Sequence, residues 1–150
     1  MSGKPGKPRI PRLSATRAVS RKLALQGLYR WQLNRCPWQD LMRDFEAADD
    51  APKADREFFQ SLVRAISEDE DTLDGLLGGW CDRKAAELDP IERAVLLIGI
   101  QELRAHPETP WRVAVSEAVS LARRFGATDG HKYVNAVLDR AARELRPNEP

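Results

Sequence analysis

No acidic residue occurs before Asp40 in this 150-residue chain. Histidine and cysteine are nearly as scarce, with two of each. Cys36 and Cys81 stand alone, without C-x-x-C spacing or a neighbouring histidine. That excludes a disulfide framework and a Cys/His metal site, and both read as reduced packing residues. His106 sits in a Pro-bounded loop and shares no ligand spacing with His131. There is no Walker loop, no H-E-x-x-H and no G-x-G-x-x-G after a strand. "GLLGG" has neither a strand before it nor Lys-Ser/Thr after it, so it does not cradle phosphate. The longest unbroken apolar run, "AVLLIGI" at 94–100, is far short of the roughly 20 residues a membrane helix needs. The basic N-terminus has no apolar segment behind it, so no signal peptide is expected and the setting is cytoplasmic. No segment alternates with period two for long enough to make a strand, and no internal repeat is present.

What the chain has is an uneven distribution of charge. Residues 1–39 hold nine Lys or Arg, while the other 111 residues carry 15 basic and 23 acidic side chains, a balance of −8. A basic arm on an acidic body predicts a polyanion bound at one end; the bland alternative is a solubilising tail. Residues 1–13, rich in Gly, Pro and Lys, have little to bury and are expected to be disordered. One domain follows, large enough to bury about 70% of its unfolded surface.

Helical periodicity runs through the rest. From Ser14 a proline-free stretch places Ala24, Leu28 and Trp31 at helical spacing, and Pro37 ends it. A second helix is predicted over 38–47. A third starts near Lys53, with Phe58, Leu62 and Ile66 on one face beside Phe59 and Val63. "SEDEDTLDGLLGGW" reads as a fourth, with Ser67 as cap, an acidic first turn and a Gly-Gly stop. In "LDPIERAVLLIGIQEL", Asp89 is the N-cap and Pro90 is N1, where its missing N–H costs nothing. Glu92 at N3 is placed to fold back on the Asp89 N–H or to favour the helix N-terminal dipole. Apolar all round, this helix should be the central one. "HPETP" breaks it. The next buries Val115, Ala118, Val119 and Ala122 and stops at Gly126. The expectation is all-α, about seven helices, with the glycines near 75–79 as a seam between an N-terminal bundle (about 14–78) and a C-terminal one (about 79–146).

"FGATDGHKYVNAVLDRAA", residues 125–142, gathers Asp129, His131, Lys132, Tyr133 and Asn135. Catalysis there would need a partnered base, a nucleophile or a metal, and none is supplied. Asp129 is instead placed to cap a last helix whose stripe is Val134, Val137, Leu138, Ala141 and Leu145. An exposed helix start with a lysine and an aromatic ring also suits a phosphate and a base.

Four segments together resemble the NusB family of bacterial transcription antitermination factors: "ALQGLYRWQL" (24–33), "IERAVLLIGIQEL" (91–103), "VAVSEAVSLARRFG" (113–126) and "DGHKYVNAVLDRAA" (129–142). The resemblance implies two small packed helical bundles and a non-catalytic RNA-binding protein with no cofactor or metal. It implies pairing with NusE, a small-subunit ribosomal protein, to hold single-stranded boxA RNA of ribosomal RNA leaders, with other Nus factors and RNA polymerase as indirect partners. It assigns the RNA surface to Arg17, Arg21, Tyr29, Trp80, Glu92, Asp129 and Tyr133. Departures from the family pattern are Trp80 for tyrosine, Tyr133 for phenylalanine, Leu97 at a position often basic, and Gly27 inside the first helix. Two further readings remain at this stage, a NusB-like RNA-binding module of a ribosomal RNA cytosine methyltransferase and a helical protein–protein adaptor. The first calls for a following domain with a cofactor-binding sheet and catalytic cysteines, whereas this sequence ends at Pro150.

Overall fold

A computed structural model describes the chain over residues 9–84 and 87–150, with side chains from Leu13 onward. Seven α-helices follow one another: α1 Arg9–Leu33, α2 Trp38–Ala47, α3 Arg56–Glu68, α4 Glu70–Trp80, α5 Pro90–Ala105, α6 Trp111–Phe125 and α7 Gly130–Leu145. A 3-10 turn at Ala51–Lys53 precedes α3. No strand occurs among the described residues. Most of the disordered arm expected over 1–13 lies outside the described residues. Its last positions do not, and they are already helical from Arg9.

The centre of the fold is α5, and its local sequence explains why. The Asp89 carboxylate accepts from the Ile91 and Glu92 N–H groups at 3.1 and 3.2 Å, and Pro90 takes the first helical position. Every residue from Glu92 to Leu103 is buried. A helix apolar on all sides needs partners on all sides, and α5 packs against α1, α3 and α4 as well as α6 and α7. Gly99 sets the close approach to α7: a Cβ there would come within 2.7 Å of the Leu138 side chain. Gly27 is different. A methyl group there would meet Leu41 at 3.7 Å, an ordinary contact, so helix packing does not require that glycine.

The apolar stripes lie where the periodicity placed them. Ala24, Leu28 and Trp31 of α1, Phe58, Phe59, Leu62, Val63 and Ile66 of α3, and Val134, Val137, Leu138 and Ala141 of α7 all join one buried cluster. Three boundaries differ. α3 begins at Arg56, capped by Asp55, and not near Lys53. Ser67 lies inside α3 and its hydroxyl donates back to the Arg64 carbonyl; Asp69 holds the N-cap position of α4. Gly78 and Gly79 do not stop α4, which continues to Trp80. A helical glycine costs about 1 kcal/mol at most, while burying a tryptophan is worth several times that, so the buried Trp80 carries the helix through.

Candidate nucleic-acid interface

The seven sequence-assigned residues do not form one patch. Arg17 and Arg21 meet the C-terminal end of α5, whereas Glu92 stands in its first turn. Ten residues of helix put about 15 Å between Glu92 and Glu102, the partner of Arg21.

Arg21 is only 3% exposed. Its guanidinium is closed bidentately on Glu102, at 2.8 and 2.6 Å, with Glu117 at 3.5 Å. Arg17 donates to Glu108 at 3.0 Å and to Thr109 at 3.2 Å. Both guanidiniums lie over the buried Phe58 ring. His106 bridges Glu108 and Ser61 at 2.9 and 3.1 Å, and Arg146 donates to the carbonyls of Leu103, His106 and Thr109. Burial alone would push the Glu108 carboxyl up, but hydrogen bonds from His106, its own backbone N–H and Arg17 hold it at about 2. This end of α5 is a strut. Arg21, expected on the RNA surface, is buried here and closed on a buried carboxylate, so it presents almost no guanidinium surface to a ligand. The other described cations of residues 13–39 are also paired: Lys22 with Asp50, Arg30 with Asp44 and Arg35 with Glu70. The basic excess of that segment is thus largely neutralised within the fold. Lys4, Lys7, Arg9 and Arg12, which remain from the count, lie outside the residues whose side chains are described.

The other end of α5 is built differently. The loop after α4 brings Asp82 and Arg83 against the first turn of α7. Tyr133, half-buried, donates its hydroxyl to Asp82 at 3.1 Å. Burial, with the hydrogen bonds to Cys81 and Asp82, pushes the phenol well up, so it stays a neutral donor. The Arg83 guanidinium lies over the Tyr133 ring, 4.2 Å from its centroid. Beneath it Glu92, 6% exposed, turns its carboxylate toward the start of α7. A Cβ on Gly130 would come within 2.5 Å of Glu92 Oε2, so Gly130 makes room for the acid. Glu92 Oε1 is buried without a hydrogen-bond partner; Arg83 Nη1, at 3.8 Å, is the nearby cation. The fold-back of Glu92 onto the Asp89 N–H does not form, because the Glu92 carboxylate is turned toward Gly130 instead.

Trp80 closes this corner from inside. It is 5% exposed, and Arg140 of α7 donates to its carbonyl at 2.8 Å. It packs as core and leaves little ring surface open for the stacking expected of it. Asp129 stands at the N-cap position of α7 without making the cap bond, because its backbone is left-handed at φ 68°. Capping needs an extended backbone at that position. The exposed carboxylate pairs with Lys132 at 3.3 Å instead. Tyr29 of α1 is exposed, at 38%. One turn further along, Gln32 donates to the Pro90 carbonyl at 2.9 Å, tying that face of α1 to the start of α5.

The corner thus presents a buried carboxylate with an unfilled acceptor, an aromatic ring, a movable cation and an exposed helix start. That set suits a flat ligand carrying N–H donors. Among the described residues no group of His, Cys, Asp and Glu is arranged to hold a metal ion, and no helix is long and apolar enough to cross a membrane. Sequence reading missed Arg83, Asp82 and Gly130. A lone arginine in "WCDRK" carries no periodic signal, and Gly130 looks like any glycine before a helix.

The NusB family model matches residues 18–143. The transcription antitermination protein NusB of Thiobacillus denitrificans is 40% identical over 137 residues, covering 91% of this chain and 94% of the relative. That of Burkholderia cenocepacia is 44% identical over 135 residues, covering 90% and 93%. Among solved structures, T. maritima NusB superposes with a TM-score of 0.74 at 26% identity, over 89% of this chain and 92% of that one.

Proposed function

Because the chain belongs to the NusB family, we propose that it acts as a non-catalytic transcription antitermination factor in the cytoplasm. In this reading it pairs with the ribosomal protein NusE and holds single-stranded boxA RNA of ribosomal RNA leaders. The observation that supports RNA binding most directly is Glu92: a nine-tenths buried acid with one oxygen unpartnered, beside an aromatic ring and under a half-exposed arginine. Leaving a buried acceptor unsatisfied costs about 1–3 kcal/mol. A base that donates to it recovers that cost on binding. Tyr29, Glu92, Tyr133 and Asp129 are the contacts proposed on this surface; Trp80 supports it from inside, and Arg17 and Arg21 brace the far end of α5.

Titration with a boxA-like RNA and a scrambled RNA, each with and without NusE, tests the reading. Tighter binding of the boxA-like strand, strengthened by NusE, is expected. Equal affinity for both strands under both conditions would overturn it.

A further inference from the structure

The face of Tyr133 on which a base would stack is already covered by the Arg83 guanidinium, 4.2 Å from the ring centroid. The same guanidinium points Nη1 at Glu92 Oε1 across 3.8 Å. That is too long for a hydrogen bond, so the buried oxygen is faced but not satisfied. Two other guanidiniums close their hydrogen bonds on partly or fully buried acids: Arg21 on Glu102, and Arg93 on Glu70 and Asp74. Arg35 is half exposed as well but is closed bidentately on Glu70; Arg83 is half exposed, at 48%, and stops short of its acid. The walls around it are fixed. Tyr133 is held by Asp82, and Glu92 fills the space that Gly130 leaves.

A guanidinium is flat, stacks on aromatic faces and directs N–H donors outward in its own plane. The N1–C2–N2 edge of guanine contains the same fragment, with two parallel N–H donors suited to a carboxylate. Adenine and cytosine offer one amino group each. Uracil offers a single N–H between two carbonyls, which a carboxylate repels.

We infer that Arg83 is a resident stand-in for a nucleobase, filling the slot between Tyr133 and Glu92 until a base with an N–H donor edge, guanine above all, displaces it. This rests on the reading that the protein binds single-stranded RNA. The slot is selective because only a base that donates to the unsatisfied Glu92 oxygen offsets the cost of displacing Arg83. Uracil, whose carbonyls the carboxylate repels, is kept out of the slot whether or not Arg83 fills it. Once displaced, Arg83 is free to meet the RNA backbone as a phosphate contact.

The test reads a ratio. The full chain and its Arg83→Ala and Arg83→Lys variants are titrated by fluorescence anisotropy with an oligouridine of about twelve nucleotides. The same strand carrying one central guanosine, adenosine or cytidine is titrated beside it, and melting curves check the fold. The wild-type protein should prefer the guanosine strand. Arg83→Ala should weaken both strands through the lost charge yet raise the guanosine preference about two- to fivefold, the worth of one exposed cation–π stack. Arg83→Lys, which keeps the charge without the planar fork, should raise the preference with little weakening, and it carries the test if the alanine variant fails to fold. An unchanged preference would make Arg83 a phosphate contact and nothing more, and a reduced one would make it a support for the slot; either overturns the inference while leaving RNA binding intact. Failure of the wild-type chain to bind any of the strands would overturn the parent reading instead.

Discussion

The two ends of α5 use the same kinds of side chain to opposite effect. At the C-terminal end, Arg21, Glu102, Arg17, Glu108, His106 and Arg146 form a network in which nearly every polar atom has a partner. The exception is Arg17 Nε, whose guanidinium is nevertheless bound through Nη1. At the N-terminal end, Glu92 keeps an oxygen with no partner and its cation stays at 3.8 Å. A satisfied buried network holds a fold together, and an unsatisfied one has capacity left for a ligand. Charge content alone does not separate the two, because both ends are rich in arginine and glutamate.

The sharpest way to break the comparison is at Arg21. Arg21→Met should cost about 3–5 kcal/mol of stability, since it strands the buried Glu102 carboxylate. Adding Glu102→Leu should recover most of that loss, because replacing both partners removes the unpaired charge. Urea denaturation measures both. A loss under 1 kcal/mol for the single variant would mean that the pair is not the strut described.

Trp80 and Tyr29 sharpen the contrast between core and surface. Trp80→Ala should cost about 3–5 kcal/mol of stability. Tyr29→Ala should leave the melting temperature nearly unchanged and cost about 1–3 kcal/mol of RNA binding. Melts run beside RNA titrations distinguish the two. Equal behaviour of the variants in both assays would erase the division.

Much of the fold was legible because it depends on neighbours along the chain. The Asp89–Pro90 start of α5, the bounds of α2 at Trp38–Ala47 and the stripes of α3 and α7 all follow from spacing of three and four residues. The site was legible only where the family pattern pointed to it. Arg21 read as a free cation because its partner, Glu102, lies 81 positions away. Asp129 read as a cap because residue type does not reveal a left-handed backbone. Gly78 and Gly79 read as a stop because the burial of Trp80 is a tertiary fact.

Asp129 gives a smaller effect. Its left-handed backbone suits asparagine and glycine but not alanine. Asp129→Ala should therefore lose about 1 kcal/mol of stability through strain. Asp129→Asn should keep stability and bind RNA more tightly at low salt, by no more than about fivefold, with the gain fading as salt screens the charge. Weaker binding by the asparagine variant would show that the carboxylate accepts a hydrogen bond from a base.

The smallest expected effect belongs to Glu108. Its carboxyl is held at about 2 in the fold, so the stability it adds is complete above its ordinary value near 4.5 and is lost as pH falls through about 2. Wild type and Glu108→Gln should differ at neutral pH by no more than about 1 kcal/mol, given the exposure of the group. The two should converge across that acidic window in pH-dependent melts. A constant gap from neutral pH down to pH of about 2 would contradict the role given to the carboxylate.

Amide hydrogen exchange with and without a saturating boxA-like RNA tests the division of α5 most directly. The account predicts slowed exchange in peptides covering 80–84, 91–95 and 129–135, with no change over 101–109. Protection over 101–109, with none at the other three segments, would contradict it.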